Sequence, residues 1–197
     1  MKIGDRFEKI TTKAFYKVLE TNSNGKIVLQ RLINGGKSDN LLIVDDLNSF
    51  KAFKPIENTI SFFDDNYDFL STLYESPVEY EGVIYPSVEH AFQASKTNEE
   101  KDIQKILSIS SPLKVKVLGK AIKEKEGWKE NQYNEMYKIC LNKFKNNEEL
   151  KLALLDTKDM NLINGGEDTY WGYSKDKECG DNNLGKILME IRKELSN

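Results

Sequence analysis

The segment 85–96, YPSVEHAFQASK, carries the densest set of side chains that could do chemistry. Its Pro86-Ser87 pair predicts the start of a helix with Ser87 as the N-cap. Glu89 then falls in the first helical turn, where free backbone amides and the helix dipole favour an ionised carboxylate. A carboxylate held in this state can stabilise a developing cation or activate a nucleophile.

Further polar side chains share the helical face of Glu89. Gln93 and Lys96 follow it at i+4 and i+7, which places all three on one side of a helix. The plainer interpretation is a capping acid with a solvated polar stripe, since acids are common in first turns. His90 is the only histidine, and a single histidine beside an acid is more often packed or hydrogen-bonded than catalytic.

A second segment, 164–186, combines an acid with many glycines. Asp168 lies three residues before Trp171, and Asn182 opens the last predicted helix, whose amides could receive a phosphate. The glycines would let backbone approach a ligand closely; they are Gly165, Gly166, Gly172, Gly180 and Gly185. No GxGxxG or GxxxxGK[ST] pattern is present, and plain long loops also collect glycine.

Periodicity and turn residues predict the elements that must position these groups. Helices are expected at 87–97, 99–109, 112–123, 132–145, 148–155 and 183–195. A strand is expected at 59–63, and a hairpin at 78–85 that turns at Gly82. Trp128 falls between two of these helices, where it could stack on a base or fill the core. Residues 58–197 are therefore predicted to form an α+β domain, mostly helical with a small sheet.

The first 57 residues have a different pattern. Strands are expected at 14–20 and 26–33, separated by the turn TNSNG, and LLIVDDL continues as a strand after a turn at 33–40. We predict a small all-β N-terminal domain at 1–57, a barrel or a sheet. This segment carries ten Lys and Arg against seven acids, and a basic groove with exposed aromatics can bind single-stranded nucleic acid. Core packing explains its aromatics equally well: Phe15, Tyr16, Phe50 and Phe53.

Composition excludes several classes of protein. The chain has 197 residues, a net charge of −3, one histidine and two cysteines, so a disulfide framework or a zinc site is not expected. No apolar run approaches a membrane span and no signal peptide is visible. We expect a cytoplasmic protein that needs no metal or organic cofactor.

Taken together, five motifs resemble the NADAR family, also called YbiA-like proteins, in order and in spacing. The similarity covers about residues 58–195. The motifs are DFLSTLYESPVEYEGVIYPSVEHAFQASK at 68–96, GW at 127–128, KF at 143–144, DTYWG at 168–172 and GDNNLGKILMEIR at 180–192.

The resemblance implies an N-glycosidase that hydrolyses the bond between C1 of a ribose and a nitrogen. Family members act on phosphoribosyl intermediates of riboflavin synthesis or remove ADP-ribose from guanine in DNA. Carried over by motif, the catalytic residues are Glu89, Asp168 and Lys96, with Lys96 either binding phosphate or attacking C1 as a Schiff base. The expected substrate-binding residues are Trp128, His90, Gln93, Trp171, Gly172 and Asn182.

Two departures from the family pattern leave alternatives open. The family usually has Ser-Asn-Phe where this chain has Ser71-Thr72-Leu73, and it often has Glu where this chain has Asn164. Either change could alter substrate choice or weaken activity. A module that binds ADP-ribose or a related nucleotide without cleaving it is therefore the second functional hypothesis. A third is that residues 1–57 contact a protein partner, such as a paired toxin.

Overall fold

The computed structural model describes residues 6–9, 15–21, 27–33, 36–44, 53–55, 59–61, 67–165, 168–174 and 179–196. The chain divides into two compact units, Met1–Ile60 and Ser61–Asn197. The domain limits expected from the sequence, 1–57 and 58–197, stay a prediction.

The described part of the first unit contains an antiparallel sheet. Its strands are β1 (Arg6–Lys9), β2 (Phe15–Thr21), β3 (Ile27–Ile33), β4 (Gly36–Val44) and β5 (Phe53–Pro55), in the order β4-β3-β2-β1-β5. Two cross-strand pairs, Val18 with Leu29 and Ile27 with Val44, have buried side chains, which is the packing that stabilises a sheet.

The strands of this unit differ from the expected pattern at one turn. Strand β4 begins at Gly36 and so occupies most of the turn predicted at 33–40. Most residues between the strands lie outside the described part of the chain, so an all-β domain stays a prediction. The side chains of Phe15, Tyr16, Phe50 and Phe53 lie outside it as well. Strand β6 (Thr59–Ser61) coincides with the start of the strand predicted at 59–63.

The second unit begins with a hairpin and continues with helices. A short 3-10 helix (Asp68–Leu70) precedes β7 (Glu75–Tyr80) and β8 (Val83–Ser87). Glu81 and Gly82 have φ of 50° and 80°, so the turn has two residues with positive φ, as a tight hairpin of this twist needs. The hairpin predicted from the sequence at 78–85 is confirmed.

In the part of the chain that the structure describes, six helices and one strand follow the hairpin. They are α1 (Val88–Ala94), α2 (Glu100–Leu107), α3 (Pro112–Leu118), α4 (Trp128–Lys145), α5 (Glu148–Asp156), β9 (Asn161–Ile163) and α6 (Asn183–Leu195). The side chains of Ser87, Ser111 and Asn147 accept hydrogen bonds from backbone amides three residues on, so all three act as N-caps, and the cap predicted at Ser87 is confirmed.

All six predicted helices exist, but some bounds differ. α3 ends at Leu118 rather than at residue 123, and α4 begins at Trp128 rather than at residue 132. The cause at α4 is Gly127, whose φ of 71° breaks the chain direction immediately before Trp128. Trp128 is therefore the first residue of a helix and does not lie between helices.

The core of this unit forms around α4. This helix packs against α6 and β7, while α1 packs against α3, α4 and β8. The apolar residues of α6 that fall at helical spacing, Leu184, Ile187, Leu188 and Ile191, are all buried, as their spacing predicts. Arg192 is also buried and donates to Thr157 Oγ1 and to the carbonyl of Met160, so it holds α6 against the end of α5.

Candidate active site

A cavity of about 430 Å³ opens in the second unit between α1, α3, α4 and the loop after β9. Its size is within the usual range for ligand sites. Of the nine residues predicted to form the site, six line this cavity: Glu89, Gln93, Lys96, Trp128, Asp168 and Trp171. Side chains that are far apart in sequence therefore meet around one space.

Glu89 is held at the cavity by Thr72. The backbone carbonyl of Thr72 accepts from the Glu89 amide at 2.9 Å, and its hydroxyl donates to Glu89 Oε2 at 2.7 Å. Although Glu89 lines the cavity, it is only 3% exposed. A buried charge needs hydrogen-bond partners. Thr72, although it departs from the family pattern, supplies one such donor to the Glu89 carboxylate.

Gln93 supplies the second donor. One turn after Glu89 on α1, its Nε2 donates to Glu89 Oε1 at 2.7 Å. Both carboxylate oxygens therefore have a neutral donor. Among the described residues, no lysine or arginine forms a salt bridge with Glu89, and its negative charge is available to a ligand in the cavity.

Lys96 lies at the same cavity with its ammonium group over an aromatic ring. Its Nζ is 5.1 Å from the centroid of the Trp128 ring and donates to the carbonyl of Gly119 at 3.2 Å. Burial lowers the pKa of Lys96 from its ordinary value, and nearby carboxylates oppose that shift. These carboxylates belong to Glu124, Glu89 and Asp168.

Asp168 reaches the cavity from a loop. Its Oδ1 accepts from the amides of Tyr170 and Trp171, each at 3.1 Å, so one carboxylate oxygen shapes the turn into the Trp171 segment. The residue is exposed, and water can reach its carboxylate. This acid is thus placed in a solvated turn, whereas Glu89 is placed in a buried helix.

Three aromatic rings form one wall of the cavity. Phe92 lies between the two tryptophans, with its ring centroid 5.4 Å from that of Trp128 and 5.3 Å from that of Trp171. Trp128 is buried, and its Nε1 donates to Ser95 Oγ at 3.2 Å. The ring planes are inclined to one another, by 54° for Phe92 and Trp128 and by 87° for Phe92 and Trp171, so the wall offers apolar ring faces and edges against which a base can pack.

A buried lysine fixes the chain just before Thr72. Lys143, on α4, is 1% exposed, and its Nζ donates to the carbonyls of Phe69 and Ser71 at 2.6 and 3.1 Å. Burial lowers the pKa of Lys143 to about 8. The lysine of the KF motif therefore holds the segment that presents Thr72 to Glu89.

Three predicted substrate-binding residues do not line the cavity. His90 is fully buried; its Nδ1 is 2.8 Å from Ser87 Oγ and its Nε2 is 2.8 Å from the carbonyl of Ile109. Both ring nitrogens thus have protein partners, which gives His90 a structural role. A contact of His90 with substrate stays a prediction.

Gly172 and Asn182 contact neighbouring backbone and do not line the cavity. A Cβ on Gly172 would collide with the backbone oxygen of Asn164, so the glycine allows the loop to close on itself. The Asn182 side chain accepts from the Asn164 amide and donates to the carbonyl of Leu162, both at 2.9 Å. Asn182 therefore links the start of α6 to β9, and its role in substrate binding stays a prediction.

The cavity also contains residues that the sequence did not indicate as site residues. They are Lys116, Lys120, Glu124, Gln132, Met136 and Leu184. The cavity is also lined by Gly165 of the glycine-rich segment and by the residues at the two family departures, Ser71, Thr72, Leu73 and Asn164. The spacing of Lys116 and Lys120 at i, i+4 was a usable signal, because it places two cations on one side of the chain.

Two further findings concern the described residues alone. The described residues contain no group of three or more His, Cys, Asp or Glu side chains arranged to hold a metal ion. None of the helices in this part of the chain combines the length and hydrophobicity needed to cross a membrane.

Comparison with known proteins places this site in a family. The model of the NADAR domain matches residues 55–196, which include all of the cavity. The chain belongs to the NADAR family. Its NADAR domain is similar to N-glycosidase YbiA of Escherichia coli, with 32% identity over 145 residues that cover 71% of this chain and 90% of the relative.

A solved structure supports the fold of the NADAR domain. The NMR structure of E. coli YbiA matches with a TM-score of 0.64 and 31% identity over 72% of this chain and 87% of that one. The predicted mixed fold of helices and small sheets is thereby confirmed. A riboflavin biosynthesis protein of Vibrio vulnificus is 31% identical over 71% of this chain and 39% of its own length.

The names of the relatives bear on the enzyme class. A further similar protein, from Nostoc punctiforme, is also named an N-glycosidase and is 32% identical over 57% of this chain and 76% of its own length. The sequence prediction of an N-glycosidase enzyme is therefore confirmed at the level of the family. The NADAR domain hydrolyses glycosidic bonds to nitrogen.

Proposed function

We propose that the NADAR domain hydrolyses the bond between C1 of a ribose and a nitrogen in a phosphoribosyl or ADP-ribosyl adduct. One observation carries this proposal. The buried Glu89 carboxylate, with each oxygen bound to a neutral donor, lines the same cavity as the exposed carboxylate of Asp168. Two acids in different environments are what cleavage of a glycosidic bond uses.

The reaction divides between these two acids. As the C1–N bond breaks, its electron pair leaves with the nitrogen, and positive charge develops on C1 and the ring oxygen. Glu89 stabilises this cation, because its negative charge is fixed in a site of low dielectric. Asp168 takes a proton from water as the water oxygen bonds to C1, and the departing nitrogen gains one proton, which balances the proton that Asp168 took and later releases. The products are a ribose with a hydroxyl at C1 and a free N–H.

Lysines around the cavity support a phosphorylated substrate. Lys96, Lys116 and Lys120 all line it, and the latter two are exposed. The ammonium of Lys96 is hydrogen-bonded to a carbonyl and lies over Trp128, contacts that favour its charged form and oppose the lowering of its pKa by burial. Because these contacts already orient the ammonium at the cavity, we assign Lys96 to binding of an anionic group, and Schiff-base attack is the alternative that trapping tests. Borohydride added during turnover should trap no protein–sugar adduct.

The aromatic wall supports a base as the leaving group. Trp128 and Trp171 bound the cavity together with Phe92, and the face of a base can stack there. Both ADP-ribosyl-guanine in DNA and a phosphoribosylamino-pyrimidine meet this requirement. The net positive charge of residues 1–57 favours the DNA adduct, whose binding should weaken steeply as salt is added.

The test offers both substrates side by side to the full chain and follows the products by mass spectrometry. Release of unmodified guanine in DNA together with free ADP-ribose identifies the first substrate. Release of the aminopyrimidine together with ribose phosphate identifies the second. If neither is cleaved at any enzyme concentration, the proposed substrates are wrong.

A second candidate is a module that binds the nucleotide without cleaving it. The observation in its favour is Asn164, which lines the cavity where the family often has an acid. Its amide carries no charge, and its Nδ2 donates to the carbonyl of Trp171 at 3.1 Å. Calorimetry with ADP-ribose separates the two candidates, since tight binding without hydrolysis of either adduct supports the binding module.

A further inference from the structure

Gly119 ends α3 beside the cavity, and its own backbone does not require a glycine. Its φ and ψ are −57° and −19°, which lie in the right-handed helical region open to every L-residue. Helix propensity favours alanine over glycine in this region. The reason for the glycine must therefore lie in what surrounds its Cα.

The space beside Gly119 is occupied by the side chain of Gln93. A Cβ on Gly119 would lie within 3.0 Å of Gln93 Oε1, Cδ and Cγ, a distance that real Cβ atoms do not reach. Gln93 is only 4% exposed, so its amide fits directly against the Gly119 backbone. A side chain at position 119 would have to displace that amide.

The orientation of the Gln93 amide is set from both sides. An ionised carboxylate only accepts hydrogen bonds, so Nε2 faces Glu89 Oε1 and Oε1 faces Gly119. Gln93 Oε1 is buried and has no hydrogen-bond partner among the described residues. The amide is thus held against Glu89 by one hydrogen bond and by packing on Gly119. Without that packing surface, the remaining hydrogen bond would not fix its position.

We propose that Gly119 is a positioning residue that sets the Glu89 carboxylate through Gln93. The same residue accepts from Lys96 Nζ through its carbonyl, so the end of α3 positions two groups of the cavity. This inference rests on the proposed function for its kinetic consequence. The packing of the Gln93 amide on Gly119 does not depend on whether the protein is an active enzyme.

The experiment is a double-mutant cycle of Gly119→Ala and Gln93→Ala in the full chain. Each single variant should fold, because the displaced group is the end of a flexible side chain, and each should lower kcat roughly tenfold through loss of one donor to a charged group. KM should change much less than kcat. The double variant should match Gln93→Ala alone, since the added methyl group no longer meets an amide.

Gly82→Ala is the matched control. Gly82 has a φ of 80° and nothing within 4 Å of the position that a Cβ would take, and it lies in the β7–β8 turn rather than in the cavity lining. This variant should lose stability through backbone strain and keep its kcat. Losses that multiply in the double variant, or an unchanged kcat for Gly119→Ala, would overturn the positioning role.

A second readout works without substrate. In ¹⁵N spectra, the side-chain NH₂ signals of Gln93 should shift in Gly119→Ala and stay in place in Gly82→Ala. Unshifted signals in Gly119→Ala overturn the inference even if the enzyme is active. If the wild-type protein cleaves no N-glycoside but the signals shift, the proposed function fails while the packing relation remains.

Discussion

The two acids of the cavity are held in opposite ways. Glu89 projects from a helix, is 3% exposed and has a donor on each carboxylate oxygen. Asp168 projects from a loop, is exposed and has one oxygen occupied by the amides of Tyr170 and Trp171. Lys143 also stabilises the segment next to Glu89, because its Nζ donates to the carbonyls of Phe69 and Ser71.

This difference indicates a division of labour. A rigid, buried carboxylate is already arranged for a cation and needs little reorganisation when the charge develops. A solvated acid in a turn can exchange protons with water. The helical side of the cavity should therefore set the rate of bond cleavage, and the loop side should set the handling of protons.

The largest effect is expected for Glu89→Gln. This change keeps the shape of the side chain but removes the negative charge, so kcat should fall by at least about 10³-fold with folding intact. Turnover by mass spectrometry and circular dichroism on the same sample measure both quantities. Turnover at the normal rate would show that Glu89 does not stabilise the cation.

A smaller loss should separate the two functions of Asp168. Asp168→Asn keeps an oxygen for the Tyr170 and Trp171 amides but cannot take a proton, and kcat should fall about 10²-fold. Asp168→Ala removes the turn contacts as well and should be no more active. If the asparagine variant is fully active and the alanine variant is not, Asp168 only shapes the loop.

A smaller loss of kcat is expected when the hydrogen bond from Thr72 to Glu89 is removed. Thr72→Val keeps the side-chain shape but removes the donor to Glu89 Oε2, and kcat should fall about tenfold. Thr72→Ser keeps the hydroxyl and is the matched control. Equal kcat values for the valine and serine variants would contradict a role of this hydrogen bond.

Lys143 should make the stability of the protein depend on pH. Its pKa of about 8 in the folded protein lies below the ordinary value of 10.5. Between these values the unfolded chain binds more protons, so the free energy of unfolding should rise with pH, by up to about 3 kcal/mol over the full window. Urea titrations from pH 7.5 to 10 (roughly the accessible part of that window) should show this rise relative to Lys143→Met. Parallel pH curves for the two proteins would contradict it.

The features that the sequence predicted are local ones. The Ser87 cap places Glu89 in the first turn of α1, the turn at Gly82 forms the hairpin, and the apolar spacing of α6 buries its inner face. Each depends on residues only a few positions apart, for which backbone preferences and periodicity suffice.

The features that it did not predict join distant segments. Thr72 contacts Glu89 because the β7–β8 hairpin brings the two segments together. The Nε2 of His90 is hydrogen-bonded to the carbonyl of Ile109, 19 residues later in the chain. The contact of Gln93 with Gly119 joins α1 to the end of α3. Local propensity says nothing about such approaches: the sequence favoured a packed or hydrogen-bonded His90 only as the commoner case, and it could not name the groups that contact His90 and Gln93.

The central claim is that C1 of the ribose becomes cationic while facing Glu89. The most direct test compares single turnovers of the cleaved substrate with hydrogen and with deuterium at C1. A carbon that becomes cationic before water bonds to it predicts a slower reaction of the deuterated substrate in the wild-type protein. Equal rates, in a step shown to be limited by bond cleavage, would contradict the account.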